Sequence, residues 1–336
     1  MSAQRSLLDV GGLRAGYASR RAPMVRAVDN VSLKLYPREI VGLAGESGCG
    51  KSSLLKTLYG LIEYPLVVEA GSIVFYDGKT RHSLLEDSKA PQHLRWRHLS
   101  YIPQASMSVL NPVVRIDRQF RELVEIHIPG LTATQSHNQV KEYLAQLGLP
   151  ATVLRLFPHQ LSGGMRQRVV IAMATIFRPS LVLADEPTTG LDVVVQRGIL
   201  QMLCDMREQH GMTFIVVSHD VGIHYQIADR LMIMYGGHLV EVGVTKELFE
   251  RPRHPYTQLL IASLPRLGDA QKRNGIGGSP PDLGNPPPGC RFHPRCPYVV
   301  EKCEEETPQL REVMPGHYAA CHMSFDQWNY QEGSTC

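Results

Sequence analysis

The stretch that most constrains this chain is Gly45-Glu-Ser-Gly-Cys-Gly-Lys51-Ser52. It follows the continuously apolar Ile40–Ala44 and precedes a helical pattern over residues 52–61. The stretch fits G-x-x-x-x-G-K-[ST] in the setting that gives the motif its meaning, a buried strand before it and a helix after it. Glycines let the backbone curl until successive N–H groups face one anion. The helix start adds partial positive charge. In such a loop Lys51 reaches the β- and γ-phosphates of a nucleotide and Ser52 ligates Mg²⁺. Gly45, Ser47, Gly48, Cys49, Gly50 and Ser53 complete the candidate cradle; the Cys49 thiol occupies a variable position and reads as a bystander.

The rest of the chain reads as alternating strands and helices. Residues 31–35 alternate apolar with polar, as a half-buried antiparallel strand does, and residues 36–38 read as a turn. Buried-type runs lie at residues 100–103, 181–184 and 214–218, and helical spacing at residues 52–61 and 165–177, the latter ended by Arg178-Pro179. That alternation predicts a mostly parallel α/β sheet. Gly236-Gly237 between two alternating runs predicts a late hairpin over residues 230–242. Residues 105 to 160 are polar and helical, with no buried strand, and read as an inserted helical lobe. Seven prolines between Pro280 and Pro297 exclude regular structure there and predict a separate, irregular appendage.

Composition bounds the function. The 336 residues are 43% hydrophobic and 20% charged, values of a globular chain, for which length alone suggests two domains. The balance of 35 Lys plus Arg against 32 Asp plus Glu leaves a net charge of +3 and no basic footprint, so no nucleic-acid partner is expected. No apolar run approaches the roughly 18 residues of a membrane span, and residues 1–9 carry no apolar leader. The chain reads as soluble and cytosolic, with any membrane role exercised through partners.

The second half of the nucleotide site is also legible. Leu181-Val-Leu-Ala-Asp185-Glu186-Pro ends a buried strand on two carboxylates. Asp185 can hold Mg²⁺ and Glu186 can take a proton from an attacking water, a role worth about 10²–10⁴ in rate. His219 follows the next buried strand and can reach the γ-phosphate; Gln104 follows the strand near residues 99–103 and can touch Mg²⁺ or the water. Glu186, His219 and Gln104 are the candidate catalytic set, and Ser52, Gln104 and Asp185 the candidate Mg²⁺ set. Leu161-Ser162-Gly163-Gly164-Met165-Arg-Gln167-Arg168 opens a further helix, a second anion site in a chain with one Mg²⁺ site.

These residues resemble the phosphate loop, second carboxylate strand and signature motif of ABC transporter ATP-binding subunits, over residues 7 to about 250. The resemblance implies a P-loop NTPase (RecA-like) α/β fold. It comprises an ABC cassette with an antiparallel β subdomain over residues 1–253, a helical subdomain inserted at about residues 105–165, and a small irregular Cys-rich extension over residues 254–336. Asp192 resembles the family's D-loop, Tyr17 the aromatic that stacks on adenine, and Glu241 and Gly243 the closing hairpin. It implies a head-to-tail pair of cassettes sandwiching two ATP molecules, each held by the phosphate loop of one chain and by Leu161, Ser162, Gly163, Gly164 and Gln167 of the other.

The run Ala105-Ser-Met-Ser-Val-Leu110-Asn111-Pro112, then Gln119, resembles the oligopeptide/dipeptide/nickel importer subclass, as does His254-Pro255-Tyr256-Thr257 followed by Leu259-Leu260. Ile276-Gly-Gly278-Ser-Pro280 departs from the subclass's usual Ile-Pro-Gly. Of seven Cys, five fall in the extension, and four of these (Cys290, Cys296, Cys303 and Cys321) have spacings x5, x6 and x17. Four thiolates can close a zinc site or hold a [4Fe–4S] cluster, and a metal cross-link could fold a proline-rich segment that buries little apolar area. The spacing is not that of common zinc ribbons. The subclass implies iron–sulfur, with zinc or no metal as the alternatives; Cys204 reads as core and Cys336 as a free thiol at the chain end.

The resemblance implies an ATPase, peripheral on the cytoplasmic face of the inner membrane, powering uptake of di- or oligopeptides. Its partners would be two transmembrane permease subunits, a second and different ABC ATPase chain, and an extracytoplasmic solute-binding protein. Oligosaccharide, nickel or glutathione cargo stays open, because nothing in a cassette touches the solute. A non-transport ABC ATPase is the remaining alternative, though this chain has neither a fused second cassette nor a long coiled coil.

Overall fold

The computed structural model of the chain describes residues 5–20, 23–78, 80–86, 90–104, 109–264 and 275–323. Strands β1 (Leu8–Tyr17) and β2 (Val25–Leu35) pair antiparallel. Strand β3 (Ile40–Ala44) and helix α1 (Lys51–Leu58) flank the glycine-rich loop. Strands β4 (Leu66–Tyr76) and β5 (Arg81–Ser83) complete a four-stranded sheet in the order β2-β1-β4-β5. A short helix α2 (Ala90–Leu94) leads into β6 (Leu99–Ile102). Helices α3 (Ile116–His127) and α4 (Ala133–Gln146), with single turns at Ala151–Arg155 and Pro158–Gln160, form the predicted helical lobe.

The chain then alternates through α5 (Gly163–Thr175), β7 (Leu181–Asp185), α6 (Val193–His210), β8 (Thr213–Val217) and α7 (Val221–Ile227). Strands β9 (Arg230–Tyr235) and β10 (His238–Val244) make the late hairpin. Helices α8 (Thr245–Glu250) and α9 (Pro255–Ala262) follow. Last come α10 (Glu301–Glu305), β11 (Arg311–Met314) and β12 (His317–Ala319). Among the described residues no helix is long and apolar enough to cross a membrane.

The second sheet has eight strands in the order β11-β12-β10-β9-β3-β8-β7-β6. Its run β9-β3-β8-β7-β6 is parallel, and β3, β7 and β8 are buried at every position, as strands covered on both faces must be. One core joins a face of this sheet to the helical lobe through Phe120, Leu144, Ile171, Leu203 and Phe214. The other face packs on α1 and the antiparallel sheet through Leu54, Val41, Ile215, Leu13 and Phe75. The long strands β1 and β4 are absent from the sequence reading, because their glycines and polar residues break the alternation that marks a strand.

The extension, expected as a separate appendage, meets the cassette edge to edge. Strand β12 pairs antiparallel with β10, through Glu241 with Ala319 and Val242 with Tyr318, so the extension continues the cassette's own sheet. The cue was weak because β12 has three residues and two of them are polar or aromatic. The seam is held by a carboxylate with no water contact. Glu241, 0% exposed, accepts the Arg253 and His254 N–H groups at 2.5 and 2.9 Å and faces His317 Nε2 at 2.7 Å. Arg291 adds an ion pair to Asp29 at 2.5 Å. The subclass residues 105–108 and Cys336 lie outside the described residues.

A third core fastens the same seam with aromatic rings. Tyr235 of β9, Tyr256 of α9 and Phe292 are buried together, with centroids 4.5, 5.1 and 5.5 Å apart. Edge and tilted ring packing of this kind adds to the area buried. Phe292→Ala is expected to lower unfolding free energy by about 3–4 kcal/mol, read as a shifted denaturant midpoint at unchanged slope.

Buried histidines, His224 and His254 among them, tie the stability of the fold to pH. Burial holds His224 down to about 4 and His254 to about 3, and His254 Nδ1 also accepts the Tyr256 N–H that starts α9. Both pKa values are depressed in the folded state, so between about pH 6.5 and 4 the unfolded chain binds more protons and stability falls as pH falls. Each group should remove roughly 1 kcal/mol per pH unit in that window, measured by urea unfolding at stepped pH. His254→Gln, which cannot take up a proton, should flatten the slope.

Candidate functional site

The parallel strands deliver the candidate residues to one place. β3 ends at the glycine-rich loop, β7 at Asp185 and Glu186, β6 just before Gln104 and β8 just before His219. All four are carboxyl ends of neighbouring strands, where ligands of open α/β sheets bind.

The loop works because backbone crowds it. A Cβ at Gly45 would stand 2.1 Å from the Met234 carbonyl oxygen, and one at Gly50 1.9 Å from that of Ala27, with Gly50 at φ +107°. Only glycine fits either position. The fold thereby turns the loop toward the start of α1, whose last preceding residue is Gly50. The buried Lys51 ammonium donates to the carbonyl oxygens of Gly45 at 2.7 Å and Glu46 at 2.9 Å. Ser47 and Gly48 are exposed, and Ser53 is buried behind the loop. The Cys49 side chain is buried in the core and its thiol pKa is pushed up by burial, so Cys49 contributes backbone to the loop and not a reactive thiol.

Ser52 Oγ donates to Asp185 Oδ1 at 3.1 Å, and Tyr101 Oη donates to Asp185 Oδ2 at 3.1 Å. Burial raises the Asp185 pKa, and these two hydrogen bonds oppose that rise. A hydroxyl beside a buried carboxylate is the oxygen donor chemistry a hard cation takes, so Ser52 and Asp185 fit Mg²⁺. Beside them, Glu186 Oε2 gathers Gln104 Nε2 at 3.4 Å, Thr189 Oγ1 at 2.8 Å and His219 Nδ1 at 3.6 Å. Glu186 has φ +51°, a left-handed conformation that a side-chain-bearing residue adopts at a cost of about 1–3 kcal/mol. Tyr101 and Thr189 were not read from the sequence; Thr189, three residues beyond Glu186 in a turn, carried a visible signal, and Tyr101, inside a strand, carried none.

The remaining candidates divide. Tyr17 lies beside the loop helix, its hydroxyl 2.9 Å from Ser53 Oγ. Ser162 caps α5 by accepting the Met165 N–H at 3.3 Å, and Asp192 caps α6 by accepting that of Val195 at 2.9 Å. Ser162, Gly163 and Asp192 are exposed. Leu161 is buried, an anchor for the signature turn. Gln167 departs from the expectation that it meets a partner's nucleotide: it is 4% exposed, because its helical position turns it toward the core of α5.

The four extension cysteines converge. Cys290 feels Cys303, Cys321 and Cys296 electrostatically, and Cys296 feels Cys321 and Cys303. The Cys290 N–H donates to the Cys303 carbonyl oxygen at 2.8 Å. No disulfide links any of the four. Burial pushes the thiols up, Cys290 to about 12 and Cys296 to about 11. Four thiols match a thiolate-bound group in number, while burial disfavours the thiolate form that would bind it. As placed, though, no group of three or more His, Cys, Asp or Glu side chains among the described residues closes a metal site.

Two family models match the chain: "ABC transporter" over residues 28–189 and "Oligopeptide/dipeptide transporter, C-terminal region" over residues 240–303. A Brucella ovis protein named for peptide import and ATP binding is 39% identical over 330 residues, 95% of this chain and 97% of its own. The dipeptide transport ATP-binding protein DppD of Escherichia coli is 37% identical over 324 residues, 96% of this chain and 98% of its own. Among solved structures, a dimeric bacterial ABC transporter cassette superimposes with TM-score 0.61 at 25% identity, over 71% of this chain and 98% of that one.

Proposed function

This chain belongs to the ABC transporter family of ATP-binding subunits, in the branch that carries the oligopeptide/dipeptide C-terminal region, and from that premise we propose how its site works. It is the ATP-binding and ATP-hydrolysing subunit of a peptide importer. The observation that carries the mechanism is the meeting of Lys51, Ser52, Asp185, Glu186, Gln104 and His219 at four adjacent strand ends.

The Lys51 ammonium, now on two loop carbonyls, exchanges them for the β- and γ-phosphate oxygens of ATP, and the loop N–H groups bind the same anion. Mg²⁺, held by Ser52, Asp185 and Gln104, would supply charge neutralisation on the phosphates. Glu186 takes the proton of the attacking water, with Thr189 and Gln104 fixing one of its oxygens and His219 reaching the γ-phosphate. Tyr17 stacks on adenine. Catalysis here is positioning plus electrostatics, since phosphoryl transfer asks little covalent chemistry of a protein.

The exposed Ser162–Gly163 turn and Asp192 serve the ATP of a second cassette. Val193 and Val194, 78% and 81% exposed next to Asp192, give that face apolar surface to bury. The second cassette is a different, homologous chain, and two transmembrane permease subunits seat on the helical lobe beside Gln104, where Val113 is 79% exposed. The chain sits peripherally on the cytoplasmic face of the membrane, in a system completed by an extracytoplasmic solute-binding protein. Residues 1–253 form the cassette and residues 254–336 the extension, whose Cys290, Cys296, Cys303 and Cys321 hold a [4Fe–4S] cluster, with zinc as the alternative occupant.

Glu186→Gln is expected to bind ATP, stall before hydrolysis and accumulate a closed cassette pair on size-exclusion chromatography; rapid continued phosphate release would remove Glu186 as the base. Anaerobically purified chain is expected to be brown with iron and acid-labile sulfide in equal amounts. Colourless, folded protein holding zinc would favour the alternative.

A further inference from the structure

A carboxylate is an odd resident of a loop that must hold a polyanion, yet Glu46 is the second residue of Gly45–Ser52, and the Lys51 ammonium rests on its carbonyl oxygen. The contradiction resolves in the extension. Arg295, 249 residues away, meets the Glu46 carboxylate with both arms of its fork, Nη1 to Oε2 at 2.6 Å and Nη2 to Oε1 at 3.0 Å. Nε and the remaining N–H groups donate to Gly277 O at 2.8 Å, Ile276 O at 3.2 Å and Tyr235 Oη at 3.1 Å. All five guanidinium donors are thus used, and the side chain is only 5% exposed. The Tyr256 hydroxyl, also beyond the cassette, accepts the Glu46 N–H at 2.9 Å. One loop residue is held at backbone and side chain by two residues of the extension.

We propose that Arg295 is a positioning residue of the nucleotide site: it neutralises Glu46 and fixes the loop so that the triphosphate meets a cationic surface. The inference rests on the reading of Gly45–Ser52 as the ATP loop. Without Arg295, an uncompensated carboxylate remains on the loop that receives the triphosphate, and like charges at such range repel. Lysine could not take the place of Arg295, because one ammonium cannot span a carboxylate, two carbonyls and a hydroxyl. The position of Arg295 in the chain adds a consequence. It closes the single turn His293–Arg295, whose backbone runs from the Cys290 carbonyl oxygen to the Cys296 N–H, so the turn that grips the loop is the same turn that spaces two of the four thiols.

The test is equilibrium binding of a fluorescent ATP analogue with Mg²⁺ to the full chain. Arg295→Ala is expected to weaken binding about tenfold, and adding Glu46→Gln to it is expected to restore affinity to within about twofold, because the repelling charge is gone. Arg295→Gln, which keeps hydrogen bonding and bulk, should show the same loss and the same rescue, and it serves if the alanine variant fails to fold. Unchanged affinity in a folded Arg295→Gln chain would overturn the proposal, as would a loss that Glu46→Gln does not repair, which marks a merely structural contact. Lys51→Ala in the same assay separates the two readings. If it binds as the unaltered chain does, the ATP loop itself is misassigned; if it loses binding while both Arg295 variants keep it, only this inference falls.

Discussion

The nucleotide site depends on how closely backbone can approach backbone around eight residues. Gly45 lies against the Met234 carbonyl of β9, and Gly50 against the Ala27 carbonyl of β2, at distances that exclude any side chain. That contact presses the loop between the parallel sheet and the antiparallel one. It therefore fixes where α1 starts, which way its N–H groups point, and how far Ser52 stands from Asp185. The two sheets form distinct layers that share one core, and the loop lies where their backbones approach each other. A single methyl group at either glycine would part them.

Most of this was readable because the informative residues are also the structural ones. β3, β7 and β8 are continuous apolar runs because both faces of the sheet are covered, and the chemistry follows directly after each run. A sequence-local signal thus located Lys51, Ser52, Asp185, Glu186 and His219 together. The fold hid what depends on pairing across long separations or on conformation. Arg295 and Glu46 are separated by most of the chain, and neither residue type in its own neighbourhood hints at the other. The left-handed backbone of Glu186 has no residue-type cue, since the usual cue is glycine. Gln167 stands inside a legible motif yet faces inward, because a motif states which residues are present and helical phase decides which way each one looks. Strands β1 and β4 escaped for a similar reason: their irregular register breaks the period-two pattern.

The extension joins the cassette by three kinds of interaction at once. Rings from β9, α9 and the Cys-rich segment share one apolar cluster. A buried carboxylate, Glu241, collects two N–H groups and His317. Arginine forks reach Asp29 and Glu46 on the cassette. Leaving a charge such as Glu241 buried without its partners would cost about 3–5 kcal/mol, so the contacts on the two sides of the seam stand or fall together.

The pairing of β12 with β10 carries one more consequence. In the parallel sheet the outer edge on this side belongs to β10, with apolar residues Leu239, Val240 and Val242 along a strand that is buried nearly throughout. The short hairpin of β11 and β12 occupies that edge with its own N–H and C=O groups. A cassette cut after residue 253 would leave a long, apolar strand with open hydrogen-bonding groups, the template that recruits other chains into aggregates. The extension therefore moves the open edge of the sheet from the buried, apolar β10 to the short and mostly exposed β11.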